Sequence, residues 1–310
     1  MKSKDLILGA ALLSALAPLQ AQQPPPATGP QPVMRMMRPP PPAMTGERAD
    51  LAIELAGGMP VVSIMVNGRG PFRFGVDTGA AGYLRVTPAL ATALGLAQVG
   101  EVRAGDPSGR NPVTLPLYRV DSVTLGGLTY SGVSASALSL AGPRGSNIDG
   151  IVGIGFFENL LLTIDYGRLR LAAGRGTLPA ANGRDVVDFT LDRGVLITLP
   201  LRIGDAVHPV HLDTGNTVRP LALPAEIAAA LPTSGETRNI GRARTVSQEI
   251  VIQERDLTAP VSVGATRLPV TAVSFPSAAS PGAIGSLALA GMAVTIDYPN
   301  KRLRIVPSVQ

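Results

Sequence analysis

The chain repeats itself once, over a distance too long for a solenoid unit. Ile64–Asp77, reading IMVNGRGPFRFGVD, falls without a gap on Pro200–Asp213, PLRIGDAVHPVHLD, at a shift of 136 residues that carries Asp77 onto Asp213. Gly68 lands on Gly204, Val76 on Leu212, and Asp77-Thr78-Gly79 on Asp213-Thr214-Gly215. The same shift sets Pro88 on Pro224, each opening an Ala/Leu-rich stretch with proline in the first turn of an expected short helix. A second anchor, GIVGIGFFENLLLTIDY (Gly150–Tyr166), matches GAIGSLALAGMAVTIDY (Gly282–Tyr298) at a shift of 132, Asp165 onto Asp297. Such a period means two homologous lobes.

Those lobes should be mostly β, with one or two short helices each. Gly (35) and Pro (29) are abundant, which favours turns and short strands over long helices. Aromatics make up only 4% and Trp is absent, so the core must rest on Val, Ile, Leu and Ala. Strands are expected at Pro60–Val66 and Pro71–Val76, across a turn at Asn67–Gly70. The expected division is a leader at 1–21, a Pro-rich disordered linker at 22–48, a first lobe at 49–178 and a second at 179–310. The leader has Lys2 and Lys4 before an apolar run from Leu6 to Leu19, the layout of a secretory signal peptide. The expectation is therefore export to the periplasm or medium, with no stable membrane insertion after processing.

Several function classes fall away. The net charge of +5 comes from scattered single arginines, without the basic stripe or stacking aromatics of a nucleic-acid surface. No Cys is present, which removes disulfides, thiolate nucleophiles and Cys-based metal sites. His208 and His211 are the only histidines. Three apart on a strand they point to opposite faces, which suits neither a metal site nor a Ser-His-Asp triad. No phosphate-binding glycine motif occurs. No metal and no cofactor are expected.

What remains is the pair of repeated Asp-Thr-Gly turns. Two carboxyls brought together on a pseudo-two-fold axis cannot both ionise easily, so one holds a proton while the other acts as a base. Each Asp follows an apolar strand, Phe74-Gly75-Val76 or Val210-His211-Leu212, which gives it a rigid mount. Gly79 and Gly215 permit a tight turn, and the Thr78 and Thr214 hydroxyls can bond across the axis. Asp165 and Asp297 repeat as well. There, strand alternation turns the acid outward beside an Arg-Leu-Arg strand, and a cross-strand Asp–Arg pair explains both copies. Asp149 faces Pro281 in the repeat and reads as a loop acid.

On these motifs, VDTGA (Val76–Ala80), DGIVG (Asp149–Gly153), LDTGN (Leu212–Asn216) and GAIG (Gly282–Gly285), residues 49–310 resemble the retropepsin-like and pepsin-like aspartyl protease superfamily, in its bacterial, exported, two-lobed form. The resemblance implies a bilobal pepsin-like fold of two β-barrel-like lobes. It implies a catalytic dyad at Asp77 and Asp213, supported by Thr78, Gly79, Ala80, Thr214, Gly215 and Asn216. The carbonyls of Gly79 and Gly215 would hold the backbone of a peptide or protein substrate, and a single chain would suffice as a monomer. A Gly-containing flap is implied too. Gly105-Asp106-Pro107-Ser108-Gly109 is the candidate in the first lobe and Asn239–Arg242 in the second, with surface turns as the alternative for both. Tyr118 and Tyr130 lie outside the first hairpin, so no flap tyrosine of the pepsin type is evident. Asn216 stands where a hydroxyl or Ala is usual. Its amide either donates to Asp213, crowds the dyad, or serves the turn alone. Two functions follow: an active endopeptidase, or a catalytically silent peptide-binding protein that keeps the cleft. An envelope structural protein would explain only residues 1–48.

Overall fold

In the computed structural model, the described residues are 40–105, 112–139, 148–244, 249–276 and 282–309. The expected leader, most of the linker, and Asp106–Gly109 lie outside them. Among the described residues no helix is long and apolar enough to cross a membrane.

Each lobe is built on the hairpin that the repeat foretells. Strand Met59–Val66 pairs antiparallel with Arg69–Asp77, and Leu196–Ile203 pairs antiparallel with Ala206–Asp213. The first turn is shorter than expected. Asn67 (φ 50) and Gly68 (φ 70) close it alone in the left-handed region, a two-residue geometry that matches strand twist, so Arg69 and Gly70 join the strand. Val62, Ile64, Val66, Phe74 and Val76 go into the core, as Leu199, Leu201, Ile203, Val210 and Leu212 do in the copy.

The apolar-apolar-Gly segments explain how the Asp-bearing strands end. Gly150–Gly153 inserts parallel to Phe74–Asp77 and antiparallel to Leu84–Val86. Ala283–Gly285 likewise runs parallel to His211–Asp213 and antiparallel to Leu221–Ala222. A strand flanked on both edges and packed on both faces has no polar side, hence the unbroken apolar run at Ile151-Val152. The helices follow the repeat: Pro88–Leu94, capped by Thr87, whose Oγ1 accepts from Leu90 N at 3.2 Å, and Ala225–Ala229 directly after Pro224.

A six-stranded sheet joins the two halves, in the order Val187–Asp188, Arg302–Pro307, Met292–Asp297, Leu161–Asp165, Arg170–Gly174, Arg48–Ala52. Its centre shows the symmetry directly. Thr163 and Thr295, equivalent under the shift of 132, are cross-strand partners, and their hydroxyls lie 3.1 Å apart. The pseudo-two-fold axis therefore passes between them.

Two sequence expectations need correction. Residues 43–45, assigned to the linker, form a strand paired with the sheet edge at Thr129–Ser131, because beyond Pro42 the backbone is free to donate. The repeated acids Asp165 and Asp297 do not pair with their cross-strand arginines. Asp165 Oδ1 accepts from Gly167 N (3.1 Å) and Arg168 N (2.9 Å) and takes the Ser308 hydroxyl (2.6 Å), while Arg170 turns to Asp50. Asp297 is fully buried, accepting from Leu178 N (2.8 Å) and from Asn300, while Arg302 donates to the Leu178 carbonyl. Asp149 lies in a bend, as expected of a loop acid; its Oδ2 accepts from Arg73 N at 2.8 Å and its carbonyl accepts from Thr87 N, tying three segments beside the first Asp strand.

The two copies of Asp therefore carry unequal weight. Asp297→Ala would leave the Leu178 amide buried without a partner and should lower stability by about 3 kcal/mol. Asp165→Ala, in a partly open turn, should cost about 1 kcal/mol. Urea unfolding of both variants checks the difference, and equal losses would contradict it.

Candidate active site

The two Asp-bearing strands end at the same place from opposite lobes, and the threonines join them. Thr78 N donates to Thr214 Oγ1 and Thr214 N to Thr78 Oγ1, both at 3.0 Å. Each hydroxyl then donates across the axis: Thr78 Oγ1 to the Leu212 carbonyl and Thr214 Oγ1 to the Val76 carbonyl, both at 2.7 Å. Both threonines are buried. Four bonds, two donated and two accepted by each turn, leave the hydroxyls and amides of both threonines satisfied.

This lock sets the carboxyls face to face. A Cβ on Gly79 would lie 2.6 Å from Asp213 Cγ, and one on Gly215 would overlap the Asp77 carboxyl. Each glycine is thus the floor for the opposite acid, a close approach that only hydrogen permits. Asp77 Oδ1 accepts from Gly79 N at 2.8 Å. Asp213 Oδ1 accepts from Gly215 N and Asn216 N, both at 3.1 Å. Burial first, then the charge of Asp77 and a hydrogen bond with it, push the Asp213 carboxyl well above the ordinary carboxylate range, against the pull of those two N–H groups. The pair is arranged to hold one proton between two acids.

The supporting residues separate clearly. Ala80 is buried and offers no donor from its side chain. Asn216 serves its own turn: Oδ1 accepts from Val218 N at 3.3 Å, and its backbone N–H, not its amide, reaches Asp213. It neither crowds the dyad nor donates to it from the side chain.

Sequence reasoning missed a second cross-lobe contact. Ser286 Oγ donates to the Thr214 carbonyl at 2.5 Å and lies 3.3 Å from the Tyr166 hydroxyl, which comes from the first lobe. Burial raises the Tyr166 phenol; the Ser286 bond opposes this and the Asp213 charge adds to it. The signal was present, since Ser286 stands where the repeat has Ile154, a hydroxyl in an otherwise apolar run. His211 is more than a polar strand residue. It is buried, with Nε2 3.3 Å from Asp192 Oδ2.

The flap candidates fare differently. Gly105 directly follows strand Ala97–Ala104, which pairs antiparallel with Val113–Leu125, so this hairpin frames Asp106–Gly109, residues outside the described set. Asn239–Arg242 is not a hairpin tip. It lies inside strand Thr233–Arg244 at a register shift, where Asn239 Oδ1 accepts from Gly241 N at 3.1 Å. A side-chain turn and a left-handed glycine (φ 125) make a bulge there. Tyr118, expected outside the first hairpin, lies on its second strand opposite Gln98, and Tyr130 is buried with its hydroxyl on the Phe156 carbonyl at 2.7 Å. Among the described residues no group of three or more His, Cys, Asp or Glu converges as a metal site would require.

Two locked Asp-Thr-Gly turns at the seam of two equivalent lobes decide the architecture. The fold is that of the pepsin-like aspartic proteinases. The aspartyl protease family pattern matches residues 62–156, which include the first turn and Gly150–Gly153. The crystal structure of aspartic proteinase from Irpex lacteus superposes with a TM-score of 0.54 at 15% identity, covering 84% of this chain and 97% of that one. Basic 7S globulin from soybean superposes with a TM-score of 0.51 at 12% identity, covering 85% and 95%. No curated protein sequence matches the chain.

The lock gives a direct test. Thr214→Val removes one donor and one acceptor from buried partners, and urea unfolding should show a loss of about 3 kcal/mol. Thr214→Ser, which keeps the hydroxyl, should stay within about 1 kcal/mol of the parent. If both variants lose the same amount, packing of the methyl rather than the hydrogen bonds holds the turns together.

Proposed function

We propose that the chain is an aspartic endopeptidase whose dyad is Asp77 and Asp213. The observation that carries this reading is the pair of mutually bonded carboxyls, one pushed toward the protonated form, on turns locked across the lobe seam. A water held between them has a base on one side and an acid on the other. Asp77 takes its proton as the oxygen attacks the peptide carbonyl, and Asp213 donates to the carbonyl oxygen, giving a neutral gem-diol. In the return step Asp77 gives its proton to the departing nitrogen while the Asp213 carboxylate takes one from a gem-diol hydroxyl; the C–N bond breaks as the carbonyl re-forms, and the dyad again holds one proton, on Asp213. Both lobes lie in one chain, so a monomer carries the whole site. The leader supports the further reading that the protein works outside the cytoplasm. A silent peptide-binding protein would keep the same cleft without turnover.

Mature protein from the native host, whose intact mass also reports leader removal, should cleave members of an unbiased peptide library. A statine-type transition-state mimic should block that cleavage. Asp77→Asn and Asp213→Asn should each lose at least about a thousandfold in rate while melting cooperatively, because one carboxyl cannot perform both transfers. Activity should fall on the alkaline side as Asp213 loses its proton. The sign for stability follows from the same shift: the folded acid binds its proton above the unfolded value of 3.8. Its stabilising contribution is full below that value and is lost as pH rises through the raised one. Asp213→Asn should therefore gain on the parent in stability as pH rises. Near-parental turnover in either Asn variant would refute the dyad.

A further inference from the structure

Along the strand from Asp213, the second lobe carries a pocket that mixes apolar walls with acid, hydroxyl and imidazole groups. Its wall is Thr190, Leu191, Asp192, Thr198, Pro209 and His211, enclosing about 380 Å³. Residues two apart on a strand share a face, so Pro209, His211 and Asp213 line one side of strand Ala206–Asp213. At about 3.3 Å per residue, His211 sits ~7 Å along the strand from the dyad, roughly the span of two residues of an extended peptide. Thr198 is the cross-strand partner of His211, and Thr190 of Thr198, which puts both threonines in the same row.

In the first lobe, Thr190 and Pro209 correspond to Glu54 and Arg73, which pair with each other at 2.6 Å, and the positions next to the dyad are apolar. His211 corresponds to Gly75, where a Cβ would overlap the Met59 sulfur, and Asp192 corresponds to Ala56. Met59 and Ala56 pack there on Val61, Ala80, Ile148 and Ile151. Next to the dyad, a peptide lying across it would thus meet Met59 and Ala56 on one side and the polar groups of Asp192, His211 and Thr198 on the other.

The chemistry of the polar side is that of an acceptor. Asp192 carries the formal charge on the pocket wall, and 38% of its side chain is open to solvent. Its Oδ2 holds His211 Nε2 at 3.3 Å and Arg193 Nε at 3.5 Å. Burial lowers the His211 pKa, against the opposing charge of Asp192, and the nearby charge of Arg193 lowers it further. Neutral His211 donates from Nε2 and leaves its other ring nitrogen as an acceptor. Carboxylate, hydroxyl and imidazole acceptors together suit a side chain rich in N–H donors.

We propose that this pocket is a specificity subsite taking a lysine or arginine side chain within two residues of the scissile bond, on the Asp213 side. The proposal rests on the peptidase reading for its substrate and adds the class of residue it selects. The test uses pools of eight-residue peptides that carry one Lys, one Glu or one Leu at each position in turn. Cleavage is read by mass spectrometry, and binding to the Asp77→Asn form is read by fluorescence anisotropy. The Lys pool should be cleaved and bound about tenfold better than the other two, with Lys clustered within two residues on one side of the cut. Asp192→Asn should bring that ratio near one, and Thr198→Val should reduce it. Equal or better use of Leu or Glu overturns the subsite, as does a Lys preference that survives Asp192→Asn. Lys-selective binding without cleavage leaves the subsite standing and removes the peptidase reading. No binding and no cleavage in any pool overturns both.

Discussion

The reciprocal threonine lock is the interaction on which the rest of the structure depends. Each Thr binds the backbone of the opposite turn twice, once as acceptor and once as donor. The geometry works only if the two turns are superimposable by a two-fold rotation. That demand explains why the repeat is gap-free over the fourteen residues leading into each Asp and looser elsewhere. It also explains the glycines at Gly79 and Gly215, since two carboxyls and two backbones meet in a space that admits no Cβ. The joint sheet enforces the same axis through Thr163 and Thr295. Burial of this seam is what makes the acids interact strongly, because a carboxylate pair open to water would be screened.

Much of this was legible in the chain, and the reasons are specific. Asp77 and Asp213 could be found because both position and context repeat, and two-fold symmetry converts repetition into proximity. The hairpins and helix starts were legible from Asn67-Gly68, Pro88 and Pro224, local signals with local causes. The failures were of another kind. Asp165 and Asp297 share the context Thr-Ile-Asp-Tyr, yet one caps an open turn and the other is sealed beneath Leu178. The flanks differ, Gly167-Arg168 against Pro299-Asn300, and Asn300 itself donates to Asp297, but the burial of Asp297 beneath Leu178 comes from a segment more than a hundred residues away. Asn239–Arg242 resembled a turn because its residues do favour turns, and the structure spends them on a bulge inside a long strand. Asn216 looked like a disturbance of the dyad until its side chain was seen to bond its own turn.

The lobes are equivalent in scaffold and unequal in chemistry. Asp213 receives two backbone N–H groups and Asp77 one; Ser286 braces the Thr214 carbonyl while its counterpart Ile154 packs in the core. Met59 and Ala56 pack on the Asp77 side, while Asp192 and His211 face a pocket on the Asp213 side. Symmetry brings the acids together, and these departures from it give each acid a separate environment. Such a difference is what acid–base division of labour requires, because identical carboxyls would share the proton without preference.

The central claim is that Asp77 and Asp213 form one titrating unit with a single shared proton in the resting site. Carbon-13 labelling of aspartate Cγ, followed by NMR from acid to neutral pH, reads this without any substrate. The account predicts that one of the two resonances keeps its protonated shift through the range where exposed aspartates ionise. Replacing Asp77 with Asn should bring the onset of Asp213 ionisation to lower pH, because the neighbouring charge is gone. If both acids titrate separately in the ordinary carboxylate range, and neither responds to loss of the other, the two carboxyls do not act together and the account is wrong.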